Sequence, residues 1–319
     1  MSENAVDMGT ATDTSTPQMS DQSMNGQAIE ELSALRPPRG PSALRTTLLI
    51  ARVTFREAAR RMILWIALLA GIGFLAFFWT ALHFTMKHHS PHASIVDLRE
   101  GIVMMTMMVL YAGSMMTSLM AVLTSCDTLS GEIASGTIHA IATKPITRRQ
   151  ILLGKWIGYT GMLTVYILFL LGGVALLGYI LGGATVQHLW SGLGLVWLES
   201  IVLLNVTLLC GTVFSTLASG VIVLGMHGVA FLGGWIEQIG AFTHSQGAVN
   251  VGIVASILMP SESLWRRAAF DMQSPLMGVL NMSPFSTLSA PSRLMVAYAV
   301  VYLLVALGLA LRRFRLRDL

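Results

Sequence analysis

Long apolar runs separated by short polar stretches dominate the chain. A helix needs about 20 residues to cross a bilayer, and the runs at 62–84, 101–123, 157–181, 194–216, 220–241 and 294–311 meet that length or come close. The pattern predicts an all-α polytopic membrane protein with six transmembrane helices. A further run at 249–259 is apolar but too short to cross, which suits a short re-entrant or interfacial helix in the last outer loop. Backbone at that depth has to be shielded by protein, so this piece is expected to pack against the spans. Ahead of the first span, Leu44, Leu48, Ala51, Phe55 and Ala58 recur at helical spacing, with Arg45, Arg52, Arg56 and Arg60 in a neighbouring stripe. An elbow helix over 43–61 would lie in the headgroup layer, apolar side down and arginines toward anionic lipid.

Residues 1–42 carry no apolar periodicity and no signal-peptide pattern, and they end in the stiff Pro37-Pro38-Arg39-Gly40-Pro41 break. They are expected to be a disordered cytoplasmic tail, leaving 43–319 as the membrane domain.

Composition agrees with the pattern. The chain is 54% hydrophobic and 11% charged, against roughly 25% charged in soluble domains, which excludes an ordinary soluble enzyme and a disordered chain. Two cysteines, Cys126 and Cys210, exclude a disulfide framework. The net charge of +4 points to lipid rather than nucleic acid once its distribution is read. With both termini inside, fifteen Lys and Arg fall on inner segments and five on outer ones, as the positive-inside rule requires. The expectation is a cell-membrane protein with both termini cytoplasmic.

Chemistry is sparse. No phosphate-loop, H-E-x-x-H or G-x-S-x-G motif is present, so the chain is expected to be no enzyme and to hold no nucleotide itself. Three polar residues fall inside spans, where charge is costly and commonly marks a pathway. Glu199, near an outer end, could line an exit path or snorkel to the interface. Asn205 suits an interhelical hydrogen bond. His227 is either a pathway residue or a packed imidazole. In the second outer loop, Trp265 suits an interface anchor, and its charged neighbours suit a self-contained lid or a contact with a periplasmic or extracellular partner. The Gly154-x-x-x-Gly158 spacing suits tight packing, within the bundle or between protomers. His88, His89 and His92 could bind a metal if they converged, and seven methionines in the second span could offer thioethers, although methionine is commonly an apolar filler.

The connection from 124 to 156 is the most informative segment. Asp127 and Glu132 are the only acids between Glu100 and Glu199. A short amphipathic helix is expected first, ended by Pro145, with Thr147 as N-cap of a second helix starting near Arg148. Glu132, Gly136-Thr137, Lys144-Pro145-Ile146, Arg148 and Gly154-Lys155 resemble the E-x-x-x-G-T … P-[IV]-x-R … G-K pattern of type-2 ABC transporter permeases. The segments Ile50–Glu57 and Arg312–Leu319 are similar to the elbow helix and ending of those proteins. The resemblance covers roughly 44–319 and, loosely, points to the subgroup associated with multicopper-enzyme maturation.

It implies a transmembrane subunit of an ATP-driven exporter that pairs with a second permease, identical or not, and with soluble ABC ATPase subunits holding ATP-Mg. Residues 127–143, with Asp127, Glu132, Gly136, Thr137, Lys144, Pro145, Arg148 and Lys155 in or beside them, would form the coupling segment. The rival reading is an ATP-independent secondary transporter or channel, with Glu199 and His227 proton-linked. The long tail and the His-rich first outer loop depart from the family pattern and leave the substrate open.

Overall fold

The computed structural model describes residues 43–88, 95–134, 147–183, 185–273 and 291–316. The tail expected over 1–42 lies outside them. The described residues form helices α1 (Ala43–Arg60), α2 (Met62–Lys87), α3 (Ile95–Ala134), α4 (Arg148–Gly182), α5 (Leu189–Gly211), α6 (Thr216–Phe242), α7 (Gln246–Leu258), α8 (Ser261–Met272) and α9 (Arg293–Leu316). Six of them, α2 to α6 and α9, are long and apolar enough to cross a membrane, matching the expected six. The fourth begins and ends about a turn earlier than the apolar run suggests. Thr212 Oγ1 donates to Leu209 O at 2.6 Å and the chain turns, while Val213 and Phe214 continue the apolar run as exposed turn residues.

The elbow helix α1 is present, and the side of it that packs within the bundle is the one with small residues. Its buried residues are Ala51, Thr54 and Ala58, and they pack on α4. Glycines on α4 make the close approach possible. A Cβ at Gly154 would meet Ile50 and the Thr47 carbonyl, and one at Gly158 would lie 2.8 Å from Ala51 O. The Gly-x-x-x-Gly pair therefore seats α1 within the bundle. Leu44, Leu48 and Val53, too bulky for that seam, stay exposed. Arg45, Arg52, Arg56 and Arg60 are exposed as well; at 100° per residue they fall on the side away from α4.

Helices α7 and α8 bend by 107° at the break between them and form a hairpin. Gly240 lies against Ala248, Gly233 against Ala255, and His227 against Ser261. Each pair sums to the same residue index, the signature of an antiparallel run down α6. The return arm climbs α5: Met272 fills the space beside Gly192, and Ser191 Oγ donates to Asp271 Oδ2 at 3.2 Å. The hairpin thus enters and leaves on one face, the face of the α5 start and the α6 end. At 1.5 Å per residue its arms are about 20 and 18 Å long, short of the roughly 30 Å hydrocarbon core. The short re-entrant helix expected at 249–259 is α7. Its last carbonyls, orphaned at a helix end, accept hydrogen bonds from α9: Tyr298 OH reaches Ile257 O at 2.6 Å, and Tyr302 OH reaches Leu258 O at 3.2 Å.

Two apolar clusters flank the polar interior. One joins Leu152, Leu163, Leu170, Leu203, Leu208 and Phe314; the other packs Phe78, Leu82, Leu110, Val196 and Trp265 beneath α8.

Candidate functional site

At the face carrying α1 and the end of α9, α3 runs unbroken for 40 residues, about 60 Å. Its apolar window is Leu98–Cys126, so Asp127 and Glu132 occupy a continuation of the same helix. This corrects the expected separate short helix, at least as far as Ala134: no Pro lies in this stretch, and the helix continues through Gly131. Gly136, Thr137, Lys144 and Pro145 lie outside the described residues. The next helix starts where expected. Thr147 takes an extended backbone, and its N–H donates to Gln150 Oε1 at 2.9 Å, one half of a capping box. Arg148 is partly buried in the first turn of α4, and Lys155, two turns on, is buried.

At the opposite face the hairpin closes over a buried polar network. Glu199 on α5 has no exposed surface, and Ser118 Oγ on α3 donates to its Oε1 at 3.1 Å. It does not snorkel: the α8 arm lies along the same stretch of α5. Tyr111 OH sits 3.5 Å from Glu262 Oε1 and accepts from Trp235 Nε1 at 3.3 Å. One turn beyond Glu262, Arg266 Nη2 donates to Glu237 Oε2 at 2.8 Å and to Ser256 Oγ at 3.3 Å. His227 Nδ1 and Ser261 Oγ are 2.9 Å apart at the hairpin tip. Three carboxylates and one guanidinium are therefore removed from solvent together. Among the described residues, Glu199 Oε2, Glu262 Oε2, His227 Nε2 and Arg266 Nε and Nη1 have no hydrogen-bond partner, an arrangement that costs free energy and is uncommon without a role. The void beside Tyr111, Glu262 and Arg266 is about 10 Å³, barely one water molecule, so the network is sealed in this conformation.

Of the three residues read as pathway candidates, Glu199 and His227 join this network from opposite ends. Asn205 does not, and the interhelical bond expected of it is absent among the described residues. Its Nδ2 donates to Ile201 O of its own helix at 2.9 Å, the back-bonding that short polar side chains adopt within helices. Trp265 is no interface anchor: it is buried, with its ring 5.1 Å from that of Tyr111. Glu262 and Arg266 are likewise interior and Arg267 is partly buried, because α8 is an arm of the hairpin and not a surface lid. Sequence reasoning missed Tyr111, Glu237, Glu262 and Arg266. Glu237 lies inside an apolar run, close enough to its end to read as interfacial. The i,i+4 pair Glu262 and Arg266 was visible, but only as loop charge.

His88 Nδ1 lies 3.2 Å from Phe84 O, whereas His89 and His92 lie outside the described residues. Among the described residues no three His, Cys, Asp or Glu converge as metal ligands. The methionines of α3 range from buried Met107 and Met120 to exposed Met108, so they do not share one face.

Six apolar helices, an elbow helix seated on the third of them, and a hairpin folded back over buried charge define a multi-pass α-helical membrane protein. Residues 48–319 match the ABC-2 family transporter protein family, and the chain belongs to it, as the permease component of an ABC transporter. No curated protein matches the sequence.

Proposed function

We propose that this chain is the permease subunit of an ATP-driven exporter in the cell membrane, with both termini cytoplasmic. A soluble ABC ATPase subunit holding ATP-Mg would dock on the 127–143 segment, and a second permease would complete the pathway. The observation that carries this reading is the length of α3. It extends past its apolar window by the turns that bear Asp127 and Glu132, and so can convey a push at that end through the packed α3, α4 and α5 to the hairpin. Asp127 and Glu132 are the only acids between Glu100 and Glu199, and isolated charge of this kind suits a partner-specific contact. Within the family, the resemblance favours the multicopper-enzyme maturation subgroup.

Purification of the tagged chain in mild detergent, with co-purifying chains identified by mass spectrometry, is expected to recover a phosphate-loop ATPase. Glu132→Arg is expected to abolish the stimulated ATPase activity of the complex while leaving membrane insertion intact. Full activity in that variant would remove the coupling role. A second reading, ATP-independent transport, draws on the unpartnered buried atoms of Glu199 and His227. Transport that follows a proton gradient and ignores nucleotide would favour it.

A further inference from the structure

The end of α9 and the start of α4 lie beside each other at the face carrying α1. Between them is a cleft of about 490 Å³ lined by Arg149, Leu153, Gly308, Leu311, Arg312 and Arg315. All three arginines are exposed, and among the described residues none has an ion-pair partner. Two further features add to the positive potential. The first turn of α4 contains no acidic residue, so the positive end of its dipole is uncompensated. A second groove, on the other side of α9, shares Arg312 and adds Arg313. The cleft is not simply basic: one turn from the arginines its walls become apolar, at Leu153, Gly308 and Leu311. A Cβ at Gly308 would meet nothing within 4 Å, so this glycine leaves an open slot along α9.

We propose that this cleft seats an anionic phospholipid, with its phosphate among Arg149, Arg312 and Arg315 and an acyl chain along Leu153, Gly308 and Leu311. Charge at one end and hydrocarbon at the other, on the flank of two spans, is the chemistry of a lipid. An acidic peptide would satisfy the arginines but would bring unpaired backbone groups against the apolar wall, at a cost of several kcal/mol each. The arginine stripe of α1 supplies a contrast, since it is equally basic and lines neither of these clefts. The proposal rests on the chain lying in a membrane and is independent of what the permease exports.

The test is native mass spectrometry of the full chain released from mixed micelles containing phosphatidylglycerol or phosphatidylcholine. The wild type is expected to retain phosphatidylglycerol saturably and phosphatidylcholine weakly. With three headgroup contacts removed, the triple variant Arg149→Gln, Arg312→Gln, Arg315→Gln is expected to bind about 100-fold more weakly. The same number of charges removed from α1, by Arg45→Gln, Arg52→Gln and Arg56→Gln, is expected to change retention less than threefold, roughly the level of unspecific attraction. Gly308→Leu keeps every charge, favours the helix and fills the slot, and it is expected to lower retention severalfold. Equal loss in the α1 variant, equal retention of phosphatidylcholine, or unchanged binding in Gly308→Leu would each overturn the proposal. So would displacement of the lipid by glycerol phosphate alone, which would mark a headgroup site without a chain. Loss of a co-purifying ATPase from the cleft variant, with lipid retained, would assign the arginines to a protein partner instead.

Discussion

Replacing Glu237 by Met tests whether the hairpin is held by its one buried ion pair among the described residues. Met conserves length and removes both charge and acceptor, leaving Arg266 with Ser256 Oγ at 3.3 Å as its only hydrogen-bond partner among the described residues. The side chains of Arg266 and Glu237 are 4% and 8% exposed, so water cannot replace the lost carboxylate. Breaking such a pair from one side costs roughly 3–5 kcal/mol. Glu262, one turn away on the same helix, still offsets part of the guanidinium charge, which places the expectation near the lower end, about 3 kcal/mol or some 100-fold in the folding equilibrium. The double variant Glu237→Met, Arg266→Met removes both partners of the pair and is expected to recover most of that loss, with a coupling of about 1–3 kcal/mol. Reversible unfolding of the purified chain in mixed micelles titrated with a denaturing detergent measures both, and Trp235 and Trp265 report from the hairpin itself. A single variant within 1 kcal/mol of wild type, or a double variant equal to the sum of the singles, would refute the argument.

Other expectations follow from the packing. Gly158→Leu drives a side chain into the Ala51 carbonyl and Thr54, so α1 should detach, at a cost of about 1–3 kcal/mol or more, and protease should cut between α1 and α2. Gly161→Ala, whose added Cβ would meet Phe55 at an ordinary 3.7 Å, should be neutral or stabilising by up to about 1 kcal/mol in the same assay. Ser118→Ala removes the donor to Glu199 Oε1 and leaves both oxygens of a fully buried carboxylate without a partner. The expected loss is about 1–3 kcal/mol in detergent unfolding, and no change would show that the bond contributes nothing to stability.

The spans were legible because hydrophobicity over twenty residues is a strong signal that packing does not overturn. So was the α4 start, where Thr147 and Gln150 form a local motif. The orientation of α1 was not, because periodicity finds an apolar face without telling small residues that pack from large ones that remain outside. Only the facing Gly154 and Gly158 select Ala51 and Thr54 over Leu44 and Leu48. The α8 arm was hidden for a related reason. Its Glu262, Arg266 and serines read as a polar loop until Glu237, Tyr111 and His227, far away in sequence, supply the partners that allow it to be buried. Asn205 shows the limit in the other direction, since a buried amide has a partner available on its own helix and its presence alone does not point across the bundle.

Neither arm of the hairpin can be held across a bilayer by itself, and a charged side chain such as Arg266 costs about 2.5–3.5 kcal/mol when carried to depth alone. The segment therefore cannot be threaded into the membrane as the chain is made, in the way the six long helices can. It has to fold in from the surface after α5 and α6 already stand side by side, with Glu237 waiting for Arg266 and the glycines of α6 leaving a furrow for α7. Tyr298 and Tyr302 on α9 then cover its open carbonyls, so completion of this half of the molecule waits until α9 has been made. A chain truncated before α9 would present a finished set of earlier spans beside an unfinished hairpin, and cellular quality control would have that exposed edge to recognise.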